Sequence, residues 1–116
     1  MQRVMLKAKI HGATLTGTEL HYEGSVAIDR NLLELADILP GEQIHVLNVS
    51  NGTRIVTYAI EAPAGSGVVS LRGAAARLGQ TGDKVILLTY AHVDQKELRE
   101  FASRIVRVDA QNRPLP

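Results

Sequence analysis

A chain of 116 residues, 45% hydrophobic and 22% charged, reads as one soluble domain with enough apolar content for its own core. It has no cysteine, which excludes disulfides, thiol nucleophiles and Cys-ligated zinc, and at 3% aromatics its core must be built from Val, Ile, Leu and Ala. Net charge is +1 with both signs interspersed, so there is no electrostatic footprint for nucleic acid, and a DNA-binding regulator is disfavoured.

The N-terminal stretch "MQRVMLKAKIHG" alternates charged and apolar residues and lacks the apolar run of a signal peptide. In "LKAKIH" the period of two sends Leu6, Ala8 and Ile10 to one face and Lys7, Lys9 and His11 to the other, as in a half-buried strand. "HYEGSVAID" is a second candidate strand. "DRNLLELADILPGE" then switches to helical spacing: Asp29 caps, Leu32, Leu35, Ala36 and Leu39 form the apolar stripe, and Pro40-Gly41 stops it.

"QIHVLNV" and "RIVTYAIEA" flank "SNGT", a hairpin signal in which Asn-Gly supplies positive φ angles. "PAGSG" is a loop, "VVSL" a short strand, and "GAAARLG" either one helical turn or a small-residue loop. "TGDKVILLTYAHV" reads as a turn and a long buried strand, too short in its apolar run to cross a bilayer as a helix. "DQKELREF" is a short helix, "RIVRVD" a last strand and "QNRPLP" a frayed tail. Short strands punctuated by Gly and Asn point to a small closed β-barrel rather than a βαβ sheet. The expected location is the cytoplasm, with no membrane partner.

Gly24 and Ser25 have one unusual chemical option. A serine hydroxyl can attack the preceding carbonyl through a five-membered ring, and a glycine before it leaves that attack uncrowded. The amide becomes an ester; elimination then breaks the chain and leaves a dehydroalanine, which loses ammonia to become a pyruvoyl group at the new N-terminus. Taken alone, Gly-Ser reads as a β-bulge or turn.

The company it keeps changes that reading. "MLKAKIHGATLTGTELHYEGSVAID", "NVSNGTRIVTYAI" and "RGAAA", in that order and spacing, resemble the pyruvoyl-dependent aspartate 1-decarboxylase family as far as Tyr90. In that family the N-terminal segment ends in Tyr-x-Gly-Ser, the central hairpin carries Asn-Gly-x-Arg-x-x-Thr-Tyr-Ala, and a Gly-Ala-Ala loop follows. From Ala91 onward the chain carries no usable motif.

The resemblance implies a mainly β fold: a small closed six-stranded double-psi β-barrel with short helices, assembled as a homotetramer. It implies one domain over 1–116, cut between Gly24 and Ser25 into a β chain, 1–24, and an α chain, 25–116. The implied reaction takes L-aspartate to β-alanine and carbon dioxide, supplying pantothenate and coenzyme A synthesis. Ser25 would become the pyruvoyl group, whose carbonyl condenses with the substrate amine to a Schiff base. That does the work of pyridoxal phosphate without a separate cofactor.

By the same resemblance Lys9 and Arg54 bind substrate carboxylates, a role that suits a bidentate guanidinium. Tyr58 is the proton donor to the carbanion carbon. Thr57, Gly73, Ala74 and Ala75 orient substrate and assist cleavage. His11, His21, Tyr22 and Arg72 lie near the processing site or behind it. Without the family, Arg54 would be a solvated strand-end charge, Tyr58 a core residue with its hydroxyl at the rim, and "GAAA" a packing contact. The four histidines show no metal-ligand spacing, so no metal is expected.

Arg72 departs from the family, which usually has an asparagine there whose short amide hydrogen bonds a long cation cannot reproduce. Processing could then be slow, or depend on a maturation partner or on another hydrogen-bond donor. Leu47 stands where many relatives have an aromatic. The rival reading is an unprocessed, non-catalytic relative that serves as an interaction or regulatory module. Along "RIVTYAI", Arg54 and Tyr58 share a face about 13 Å apart while Thr57 points the other way. A site using all three needs a twisted or bulged strand or, the favoured expectation, a contribution from neighbouring subunits.

Overall fold

The computed structural model describes residues 1–116 throughout. It is mainly β. The strands are β1 (Gln2–Thr14), β2 (Gly17–Glu19), β3 (Ser25–Asp29), β4 (Gln43–Asn48), β5 (Arg54–Ala62), β6 (Val69–Arg72), β7 (Lys84–Asp94) and β8 (Arg104–Arg107). One helix, α1 (Arg30–Ala36), and two 3₁₀ turns, Gly73–Leu78 and Gln95–Glu97, complete it. The strands number eight rather than six, in the order β2-β6-β3-β5-β4-β7-β1-β8, and no ladder joins the β2 and β8 edges.

The long first strand keeps the expected alternation only in part. Its register against β7 slips between Leu6 and Ala8 and again between His11 and Ala13, so each slip inserts an extra residue. Leu6 pairs with the exposed Tyr90 and so leaves the Ala8/Ile10 face, because one extra residue inverts the side-chain phase. Lys7, at the first bulge, reaches the carboxylate of Glu42 at 2.7 Å and the Asp37 carbonyl at 2.7 Å. It is a tie to the loop after α1, not part of a lysine-lined face.

Asp29 caps α1 as expected, and its buried carboxylate also gathers the following loop. It accepts from the N–H groups of Asn31 (2.8 Å), Gly65 (3.0 Å) and Gly67 (2.9 Å). The helix is shorter than its sequence pattern and buries only part of the predicted stripe: Leu32 and Ala36 face the core, while Leu35 and Leu39 stay 48% and 67% exposed.

 The residues that α1 does bury are Leu32, Leu33 and Ala36, and it ends at Asp37 in the left-handed region (φ 56°), ahead of Pro40-Gly41.

The β4–β5 hairpin forms where expected, but by a different turn. Only Gly52 has positive φ (78°); Asn51 acts through its side chain, whose Oδ1 accepts from Thr53 N and Oγ1. The second candidate strand begins only at Ser25, with His21–Glu23 in the turn before it, and "DQKELREF" gives no more than the 3₁₀ turn at Gln95–Glu97. The C-terminal segment is not frayed. Asn112 is 1% exposed, its Oδ1 accepts from Thr14 N (2.8 Å), and its amide donates to Thr14 O (2.9 Å) and Gly67 O (2.8 Å).

The core is a single aliphatic cluster, with Ile10, Leu15, Ile28, Leu32, Ile44, Leu71 and Leu87 its largest fully buried side chains. Each such burial contributes about 1.5–3 kcal/mol. The cluster draws on six strands, β1, β3, β4, β5, β6 and β7, and β3 lies between β5 and β6 in the sheet order.

Candidate active site

Strand β3 carries the Gly24-Ser25 junction into the middle of the fold. It runs parallel to β5 with Val26 opposite Ala59, and antiparallel to β6 with Ser25 opposite Arg72. All five of its residues are buried, so the chain passes from the exposed Gly24 to Ser25, 1% exposed, in one step. The parallel register brings this end of β3 to Tyr58, the residue before Ala59.

The 3₁₀ turn after β6 closes over the junction. Gly73 has φ +66°, and a Cβ there would lie 2.5 Å from Gly24 Cα, 2.6 Å from Gly24 N and 2.8 Å from Tyr22 O. Both the backbone angle and the lack of space require glycine. Gly24 itself is under no such demand, since a Cβ on it would meet only Arg72 O, at 3.9 Å. The residue that makes room for the junction is therefore Gly73.

A cavity of about 550 Å³ opens beside Gly24, lined by Ile55, Val56, Thr57, Tyr58, Ala74, Ala75 and Leu78. The alanines keep it open. Asn51 Nδ2 donates to Leu78 O at 2.9 Å, tying the hairpin turn to the end of the 3₁₀ turn, and Asn48 Nδ2 donates to Asp83 at 2.9 Å, tying it to the turn before β7. The Asn48 amide, then the Gln80 N–H, hold the Asp83 carboxyl below its ordinary pKa, against a smaller opposing effect of desolvation. Sequence reading missed this support and the lining residues Ile55, Val56 and Leu78. The Asn-Gly pair signals a turn, but not the side-chain bonds that Asn51 makes to Leu78 O and Thr53 N.

The predicted site residues fall into two groups. Gly24, Ser25, Thr57, Tyr58, Gly73, Ala74 and Ala75 converge around the junction and cavity, with Tyr22 and Arg72 against them. Lys9, His11 and Arg54 do not reach it. Lys9 pairs with Leu88, Leu88 with His45 and His45 with Val56, which puts Lys9 three strands, about 14 Å, from β5. His11 stands in the parallel row through Ile86 and Leu47 to Arg54. Arg54 is exposed at the far end of β5, its Nη1 3.4 Å from His45 Nδ1. His21 is exposed in the turn before Gly24. Among the histidines, aspartates and glutamates no three cluster closely enough to hold a metal ion, and no helix is long and apolar enough to cross a membrane.

A buried serine preceded by a glycine-cradled peptide, beside a small cavity bearing a phenol, is a candidate active site. The comparisons narrow its class. The family model described as aspartate decarboxylase matches residues 1–115, and the chain belongs to that family. It is 56% identical to the aspartate 1-decarboxylase of Syntrophobacter fumaroxidans, over 99% of this chain and 93% of that protein. The aspartate 1-decarboxylase of Thermoanaerobacter pseudethanolicus is 50% identical over 99% and 98%, and that of Trichormus variabilis 53% over 99% and 91%.

Proposed function

We propose that this chain is a self-processing aspartate 1-decarboxylase that converts L-aspartate to β-alanine and carbon dioxide in the cytoplasm. The observation that carries this reading is the contact of Gly73 with Gly24 and Tyr22, which sets a backbone cradle around one peptide bond next to a cavity. Cleavage between Gly24 and Ser25 would yield chains 1–24 and 25–116. The site fits a pyruvoyl group made in place from Ser25, because the neighbouring residues Gly73, Ala74 and Ala75 leave room where larger side chains would fill it. Such a group supplies a carbonyl for the substrate amine and a conjugated carbonyl to take up the electron pair left by carbon dioxide.

The chain's own residues do the rest. Tyr58 holds a phenolic proton at the cavity for the carbon that loses its carboxylate. Thr57 and the backbone of Ala74 and Ala75 orient the substrate. Lys9 and Arg54 supply cations for its carboxylates from a neighbouring subunit, since neither meets the junction within one chain. Val56, Tyr90 and Ile105 remain exposed on the sheet around these cations, an apolar surface that supports assembly as a homotetramer. The mixed parallel and antiparallel order, with one core drawn from β1, β3, β4, β5, β6 and β7, supports a double-psi β-barrel built on those six strands.

Intact-protein mass tests the reading. Two chains split at Gly24-Ser25, the larger with a blocked N-terminus, are expected for the native protein. Ser25→Ala is expected to stay a single folded chain that releases no carbon dioxide from aspartate. A native chain that remains whole after prolonged warming, or turnover by Ser25→Ala, would sink it.

A further inference from the structure

Arg72 is a cation without a counter-ion. The two ion pairs of the chain, Lys7 with Glu42 and Arg30 with Glu34, do not involve it, and its Nε is buried with no hydrogen-bond acceptor. Arg72 as a whole is only half-buried, but a buried N–H left without an acceptor is costly and calls for an explanation. Its surroundings supply one. Arg72 lies directly across the antiparallel ladder from Ser25, so the two side chains share a face with Cβ atoms about 5 Å apart. Its guanidinium carbon sits 4.6 Å from the centroid of the Tyr22 ring, and its carbonyl faces Gly24. The unpaired cation thus brackets the junction, touching the residue two before Gly24 and standing beside the residue after it.

We propose that Arg72 is the counter-ion of the carboxylate released from Gly24 during processing, and that it drives the elimination step rather than the initial attack. This rests on the self-cleavage reading above. In the attack, Ser25 Oγ bonds to the Gly24 carbonyl carbon, the Gly24–Ser25 C–N bond breaks, and the hydroxyl proton passes to the Ser25 nitrogen. The product is a neutral ester linkage beside a free amine. In the elimination, the Ser25 α-proton goes to water, its electron pair forms the Cα–Cβ double bond, and the Cβ–Oγ bond breaks with both electrons on Oγ. That oxygen is now half of the Gly24 carboxylate. The enamine left at position 25 tautomerises to an imine, which water hydrolyses to a carbonyl and ammonia.

A full, lasting negative charge arises only in the elimination, and it arises at the residue that Arg72 brackets. A guanidinium binds a carboxylate through two parallel N–H···O bonds, so the cation that has no partner before cleavage gains one afterwards. Tyr22 holds the guanidinium in place by its ring face until then. The same ion pair then retains the short chain 1–24 on the long one.

The test follows the steps separately. Freshly made native protein, Arg72→Met and Arg72→Lys are incubated and sampled by intact mass with and without brief treatment with neutral hydroxylamine, which cuts an ester at 24–25, a product distinguished by mass from a cut at Asn51-Gly52. Arg72→Met is expected to complete cleavage about ten- to a hundredfold more slowly, the loss of one charge-assisted bond to a leaving group. Its uncut chain should accumulate as a hydroxylamine-sensitive ester, while Arg72→Lys, which keeps the charge, should be partly restored. A merely structural role would slow both steps and leave no ester. The proposal is overturned if Arg72→Met cleaves at the native rate, or slows without accumulating ester. It also falls if native protein never cleaves, an outcome read on the native sample alone that removes the self-processing reading with it.

Discussion

Replacing Gly73 by alanine tests the backbone cradle directly. The new Cβ would stand 2.5 Å and 2.6 Å from two backbone atoms of Gly24 and 2.8 Å from Tyr22 O, and backbone cannot swing aside as a side chain can. Ordinary carbon contacts lie near 3.5–4.0 Å, so the Tyr22–Gly24 segment must retreat by about 1 Å. The left-handed backbone adds about 1–2 kcal/mol and overpacking about 1–3 kcal/mol, giving a loss of about 2–5 kcal/mol. Gly82→Ala is the internal control: its φ is +96° but nothing lies within 4 Å, so it carries the backbone cost without the steric one. Stability is measured by urea denaturation in a Ser25→Ala background, and cleavage by mass in the native background. Gly73→Ala is expected to lose about 1–3 kcal/mol more than Gly82→Ala, and to cleave more slowly. Equal losses for the two variants, with cleavage unchanged, would refute the steric argument. Gly24→Ala is expected to fold normally, because its Cβ makes only an ordinary contact with Arg72 O.

Asn112→Ala removes one acceptor and two donor bonds that fasten the C-terminal segment to Thr14 and Gly67, and should cost about 2–4 kcal/mol. Limited proteolysis should then cut near residues 109–115 well before the rest of the chain; an uncut tail would show that other contacts hold it. The depressed Asp83 pKa predicts an acid-side effect. A carboxyl whose folded pKa lies below its unfolded value stabilises the fold above the unfolded pKa, about 3.9, and loses that contribution as pH falls through the folded pKa. Denaturation midpoints of the native chain should therefore fall more steeply below about pH 4 than those of Asn48→Ala, which lacks the main cause of the shift. Parallel slopes would count against that assignment.

Features legible in the sequence were those with a local cause. Asp29 before an apolar-periodic run signals a cap because the bond it makes is to a residue two positions on. The β4–β5 hairpin was visible because the turn lies between the strands it joins, although its geometry, with a single positive φ, was not. The helix stripe was misjudged: period alone cannot say which side of a short helix faces the sheet, and here Leu33 rather than Leu35 does. The tail was misjudged because a lone Asn carries no sequence signal of the three distant backbone groups it meets.

What the sequence determined by itself was the β class, the order of the motifs and the dipeptide on which the chemistry would turn, all properties of neighbours along the chain. Tertiary structure decided which residues meet. Ser25 faces Arg72, Gly24 rests on Gly73 and Val26 pairs with Ala59 only because β3 is inserted between two strands formed much later in the chain. The same pairing leaves Lys9 and Arg54 at separate places on the outer sheet face. Strand pairing is a choice among distant partners, made by burial of the shared aliphatic core, and no local pattern of side chains encodes it.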